Sequence, residues 1–370
     1  MSDNVQAIWT DTELDETLAA FTESQAEPGG LDMARARVLA ELDHPQWTDI
    51  VAAKRRYRRR RILAAAAAVG VLGAAGVVAQ AVSWGGHTPT ASAAAAEVLH
   101  RAAAQARIGA QDEALTPGHY RYIEEHAWWE SEVARTKTSG RTIVNLPGTD
   151  FAWLAENVLQ TWQPPAADAT WLLHRKVTGK RVWLKGTEKA ARAAGVTVTG
   201  GWPSGTWRAR CGDFELTPGE KACVAKGNWQ DPKPDWIAGL PRDPQKLYER
   251  LRADAPKNGL GDAEVLVYAA DALRSGLLPA DLRAALYQAL EKLPGLQITE
   301  HTANLDGRVG TALGMTSRGT RQDIIIDPKT GAFIGERTVL TKSADGLKAG
   351  TVTEFTSVST RIVSKLGATK

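Results

Sequence analysis

The residues of this chain that could carry chemistry are few, and their spacing assembles none of the familiar catalytic sets. The seven histidines (His44, His87, His100, His119, His126, His174 and His301) are scattered, with no HExxH pair and no two at helical ligand spacing. No metal and no cofactor is therefore expected. The serine in Gly201-Trp202-Pro203-Ser204-Gly205 sits one place too late for a nucleophile elbow. Glu124-Glu125-His126 has the residue types for acid/base work, but neighbours on a strand point to opposite faces, so a solvated strand edge is the expected setting. Asp306-Gly307-Arg308 and Asp327-Pro328 read as turn chemistry, and no glycine-rich phosphate loop is present. These exclusions leave binding rather than catalysis, and no catalytic residue is expected.

Two other residue types are distributed in a way that bears on binding. Ten of the thirteen tryptophans fall between Trp128 and Trp236. Such density fills the concave face of a curved sheet, or it builds an aromatic platform for a lipid or carbohydrate ligand, and a half-open sheet can do both. Trp128, Trp153, Trp171 and Trp183 are the candidate apolar lining. Cys211 and Cys223 are the only cysteines, and a bond between them would close a short loop. Two unpaired thiols are the alternative.

The element that must position all of this is apolar. Ile62 to Ala79 contains no charged or strongly polar side chain, and residues 62–82 are long enough to span a bilayer as one helix. Lys54, Arg55, Arg56, Arg58, Arg59, Arg60 and Arg61 lie immediately before it and no basic residue follows until Arg101, which places the N-terminus in the cytoplasm and the C-terminal domain outside. A cleaved signal is the nearest competitor, with small residues at Ala91-Ser92-Ala93, but signal peptides keep their apolar core closer to the start. Gly70, Gly73 and Gly76, with Ala66, leave a small-residue face on which a second copy could pack to form a homodimer.

The remaining organisation follows from composition. Residues 1–53 form an acidic arm with eleven Asp or Glu against Arg35 and Arg37, and its two short amphipathic segments cannot bury a core alone. The arm has His44 and no cysteine, so it lacks a zinc-binding set. The dense basic run of 54–61 lies against the lipid, where it orients the span and attracts headgroups, which argues against a nucleic-acid partner. Residues 83–93 are a Gly/Pro/Ser/Thr linker and 94–370 an extracytoplasmic domain. That domain reads as α+β: a helix over Ala94–Ile108, aromatic and β-branched strands from Gly118, and helices over 240–252, 262–273 and 279–293. About five antiparallel strands then run to the C-terminus, with turns at Asp306-Gly307, Asp327 to Gly331 and Asp345-Gly346.

A family resemblance can be attached to specific residues. Leu240-Pro241-Arg242-Asp243-Pro244, the helix Leu282 to Tyr287 running into Leu293-Pro294-Gly295, Asp306-Gly307-Arg308-Val309-Gly310, and Ile326 to Gly331 with Gly335-Glu336-Arg337 together resemble a family of actinobacterial single-pass membrane proteins. Members of that family are encoded beside ECF-type RNA polymerase sigma factors, and the likeness extends over essentially the whole chain. Their outer part is similar to the LolA/RseB type of half-barrel, a curved antiparallel sheet with helices on its concave side. The resemblance implies a regulatory partner of a sigma factor, docking it through residues 1–53 and sensing a lipid, lipoprotein or cell-wall ligand outside. It brings no catalytic residue. A passive envelope module that holds an apolar ligand without passing a signal is the second expectation.

Overall fold

A computed structural model describes residues 90–108, 115–139, 142–198, 203–216, 219–257 and 260–370. The acidic arm, the block from Lys54 to Arg61 and the expected span at 62–82 lie outside the described residues. Among those described, no helix is long and apolar enough to cross a membrane. Every element below belongs to one compact unit.

The fold is α+β. Nine antiparallel strands form one curved open sheet: β1 (Tyr120–Ser139), β2 (Thr142–Gln163), β3 (Thr170–Lys185), β4 (Gly205–Arg210), β5 (Gln297–Leu305), β6 (Arg308–Ser317), β7 (Thr320–Asp327), β8 (Ala332–Leu340) and β9 (Val352–Val363). Their order across the sheet is β4-β3-β2-β1-β9-β8-β7-β6-β5, so two consecutive meanders meet where β1 pairs with β9. The helices are α1 (Ala93–Ile108), α2 (Glu188–Ala193), α3 (Pro234–Ala238), α4 (Pro244–Asp254), α5 (Asp262–Arg274) and α6 (Ala280–Leu290).

Local chemistry explains most of the boundaries. Asp243 accepts a hydrogen bond from the Lys246 amide at 2.9 Å, with Pro244 in the first turn, so α4 starts where an N-cap and a preset φ coincide. Asp306 and Gly307 both have positive φ (56° and 77°), the requirement of a two-residue hairpin turn, and Asp345 and Gly346 (51° and 83°) share it. Asp327 organises the β7–β8 turn by accepting from the Lys329 amide and the Thr330 hydroxyl.

The core lies on one side of the sheet. Ile123, Leu313, Met315, Ile324, Ile326, Phe333 and Val358 meet the buried stripes of α1, α4, α5 and α6 in a single apolar cluster. In α1 that stripe is nearly all alanine (Ala95, Ala102, Ala103 and Ala106 with Val98 and Leu99), which admits the backbone of the β7–β8 turn. A Cβ on Gly331 would lie 2.4 Å from the Ala102 carbonyl, and the Tyr287 hydroxyl donates to the Gly331 carbonyl at 3.1 Å. A buried ionic group also joins helix to sheet. Arg274 of α5 pairs with Asp271 and with Glu336 of β8, and Gln322 of β7 donates to the same Glu336 at 2.7 Å.

On the opposite side the sheet curls over itself. Gly310 and Gly314 in β6 and Gly335 in β8 sit where a Cβ would strike neighbouring backbone, and Gly335 in addition makes room for Leu305, 2.6 Å from its virtual Cβ. Ala303, Leu305, Ala312, Ile325 and Ile334 form a second small core inside the curl, against Phe355. Glycine at such points permits close approach and strong coiling. Gly335→Ala would place its methyl 2.0 Å from the Thr356 carbonyl. The expected result is a loss of about 1–3 kcal/mol, the usual range for overpacking, read as a lowered midpoint in urea with unchanged slope.

Candidate functional site

The side chains with chemical potential converge on the curled, helix-free face, around His126. Strand β1 lies between β2 and β9, so His126 occupies the centre of the sheet and not the solvated edge expected from its flanking glutamates. Alternation along β1 puts Tyr122, Glu124, His126 and Trp128 on this face. The register sets His126 opposite Ser357 in β9, and Trp128 opposite both Glu156 in β2 and Phe355 in β9.

His126 is held at both ring nitrogens. Nε2 lies 2.8 Å from Glu156 Oε1 and Nδ1 lies 2.8 Å from Asp306 Oδ2. An ionised carboxylate can only accept, so both nitrogens donate and the ring is an imidazolium. Burial would lower its pKa, but the hydrogen bonds and charges of Asp306 and Glu156 outweigh that and raise it above 6.5. Glu156 is only 5 % exposed. Burial would raise its pKa, yet hydrogen bonds from Thr178, His126 and Lys180 leave it below the ordinary value.

The backbone builds this site through two irregularities. Between Ala155 and Asn157 the β2–β3 register slips, so that Thr178, Gly179 (φ 86°) and Lys180 all face the single residue Glu156. The slip is a bulge, and it turns the Thr178 hydroxyl and the Lys180 ammonium onto the same carboxylate. Strand β3 runs straight through Thr178, Gly179 and Lys180. The second irregularity is the curl. Asp306, at the β5–β6 turn, crosses over to His126 and also accepts from the Ser357 hydroxyl at 3.0 Å, while Arg308 donates to the Val358 carbonyl.

Two further polar groups flank the site on this face. Tyr122 donates to Glu124, and Gln160 donates to both at 2.7 and 2.9 Å. Burial, then Glu124, pushes the Tyr122 hydroxyl well up. On the other flank Asp323 is fully buried and receives Arg321 and Arg337, in a space that Gly314 leaves open. Where β1 outruns β9, burial together with Glu132, Glu354 and Asp345 raises the Glu130 carboxyl to about 7.

The four tryptophans expected to line one apolar site are not brought together. Trp153 and Trp183 are cross-strand neighbours, ring centroids 5.1 Å apart, and pack with Ala191 of α2. Trp171 is buried, with its ring against Gly212. Trp128 stands on the opposite face from Trp153, stacked on Phe355 at 6.1 Å and beside His126 at 6.2 Å. Between helices and sheet lies a cavity of about 40 Å³, lined by Arg121, Leu273, Gly276, Leu278, Arg283, Phe333, Val358 and Thr360, and by none of these tryptophans. Known small-molecule sites run to hundreds of Å³. Cys211 and Cys223 are disulfide-bonded. Glu156 and Asp306 carry no sequence signal as partners of His126, because both are recruited by backbone irregularities.

Chemically, the His126 imidazolium gives one N–H to each of two carboxylates and presents no free nucleophile, since the Ser357 hydroxyl donates to Asp306. Comparison of the chain with protein-family models, with curated proteins and with solved structures found no match.

The His126 tie has a definite pH signature. Its folded pKa is raised, so its contribution is complete below 6.5 and is lost as pH rises through the folded value. His126→Gln is expected to cost about 1.5–3 kcal/mol near pH 6, the range for charged hydrogen bonds, and clearly less near pH 9, measured by urea unfolding across pH. Glu130 behaves oppositely: its folded pKa of about 7 means that ionisation destabilises the fold as pH rises above the ordinary carboxylate range. Glu130→Gln should therefore raise the thermal midpoint at pH 8 and leave it unchanged at pH 4.

Proposed function

We propose that the chain is a single-pass membrane protein whose residues 94–370 form an extracytoplasmic ligand-sensing domain, and that the acidic arm 1–53 is a regulatory partner of an ECF-type sigma factor. The observation that carries this reading is the bonded Cys211–Cys223 pair, because disulfides persist in oxidising compartments and rarely in the cytosol. The apolar run at 62–82 behind a one-sided basic block supplies the corresponding topology.

The architecture is compatible with sensing by a surface. The helices pack on one side of an open sheet, and the other side carries Trp128, Phe355 and the His126 group. A curved antiparallel sheet with a helical layer is also what a LolA/RseB-type half-barrel requires, and we adopt that likeness as part of the proposal. Signal transfer would need the ligand to bind two arrangements of the protein with different affinity.

Proteolysis of intact spheroplasts tests the topology. The expected outcome is digestion of the C-terminal domain and survival of a short fragment carrying residues 1–82; a shielded domain would overturn the reading. Full-length protein purified from membranes should retain a sigma factor that a chain lacking residues 1–53 loses. Equal transcription from both chains would instead favour a passive envelope module.

A further inference from the structure

One margin of the sheet carries a one-sided charge. Residues 170–210, which make up β3, α2 and the edge strand β4, contain nine Lys or Arg and a single acidic residue, Glu188. The register determines where those cations go. Arg210, which pairs with Asp168 just outside this range at 3.7 Å, lies opposite Thr170 and Arg208 opposite Leu172, so both share the helix-free face with Lys176 farther along β3. At about 3.3 Å per residue the row from Arg210 to Lys176 is roughly 20 Å long. Arg181 falls on the other face, opposite Ala155, and exposed Lys189 lies on α2, which packs against that same face. Arg208, Lys176 and Lys189 are exposed and make no ion pair among the described residues.

We propose that this margin binds a polyanionic polymer with phosphodiester charges, and that it is the ligand-recognising part of the outer domain. The inference rests on the reading of that domain as extracytoplasmic. Two features select this ligand chemistry. The cations line a row and continue around an edge strand onto the second face, which a flexible chain can follow and a planar bilayer cannot meet at once. Lys176, Arg208, Arg210 and Lys189 are also solvent-exposed and spaced, unlike the converging donors that hold a single phosphate. Binding would then be driven by counterion release and fall steeply with salt, each phosphate contact contributing roughly 0.7 to the log–log slope for a single-stranded polyanion.

The test uses full-length protein in nanodiscs of neutral lipid, titrated with fluorescent poly(glycerol phosphate) at several salt concentrations. Lys176→Glu with Arg208→Glu should weaken binding by about tenfold or more and flatten the salt slope by at least about one contact. Lys342→Glu with Lys348→Glu, the same charge change at exposed positions in the β8–β9 connection, should change affinity less than about twofold if attraction is local and screened. The neutral pair Lys176→Gln with Arg208→Gln, checked for an unchanged thermal midpoint, guards against misfolding and should fall between. Equal loss in both charge-reversed pairs overturns the proposal, as does displacement of the polymer by phosphatidylglycerol vesicles or inorganic phosphate at equal phosphate concentration. Because polymer binding is read on purified protein, its failure is separable from failure of the spheroplast topology.

Discussion

The architecture depends on one contact made across the sheet: Asp306 at the β5–β6 turn meets His126 in β1, although four strands separate β5 from β1 in sheet order. An open antiparallel sheet has no intrinsic reason to return on itself. It does so here because Gly310, Gly314 and Gly335 remove the side chains that would resist coiling, and because something waits at the far end to hold the curl. The apolar part of that hold is small, five buried residues with Phe355 beside them. A charged hydrogen bond adds direction to it, since Asp306 must arrive in line with Nδ1 while Glu156 fixes Nε2 from the other side. The ring stays at an angle that serves both, and the Ser357 hydroxyl donates to the same Asp306 oxygen, Oδ2.

The two faces of the sheet are stabilised by different physics. On the helical side large aliphatic side chains and Tyr287 are excluded from water, and the buried carboxylates of Asp271 and Glu336 are paired with the half-buried Arg274. Unpaired, any one of them would cost several kcal/mol. On the curled side the strands carry ionisable groups in rows, bonded along one strand (Arg321 with Asp323) or to the neighbouring one (Arg337 with Asp323, Gln160 with Tyr122). The bonds that cross strands, Arg337 to Asp323 and Gln160 to Tyr122 and Glu124, resist rearrangement, because slipping one register would break them together.

What could be read from the amino acids follows from this division. The C-terminal meander was legible, since its turns depend on local chemistry at Asp306-Gly307, Asp327 to Gly331 and Asp345-Gly346. So were α1, α4, α5 and α6, whose apolar residues recur at helical spacing. The second half of β2, Phe151–Gln163, carries a weaker strand signal, because its Ala, Leu, Glu and Asn have no β preference and pairing with β1 and β3 overrides them. His126 was visible as a residue and invisible as a site. Its partners come from a bulge opposite Glu156 and from a turn that crosses the curl, and neither leaves a pattern in spacing. The tryptophans misled for a related reason: a strand alternates, so Trp128 and Trp153 end on opposite faces despite their shared composition.

The basic margin gains from how firmly it is mounted. Edge strands tend to fray, and among the described residues β4 pairs with β3 alone. Immediately after β4, however, Cys211 is bonded to Cys223, and Asp213, 5 % exposed, accepts from the Cys223 amide and pairs with Lys233 at 2.6 Å. Lys233 also donates to the Cys211 carbonyl, so a covalent link and a nearly buried ion pair act on the same few residues. Trp171 packs on Gly212 from β3, and the Arg175 guanidinium lies 5.6 Å over the Trp207 ring across the β3–β4 pair. Held this way, the backbone that carries the cations is fixed before any ligand arrives, which lowers the ordering cost of binding. A reduced disulfide would leave the charges in place and loosen their spacing, which makes the bond part of recognition as well as of stability.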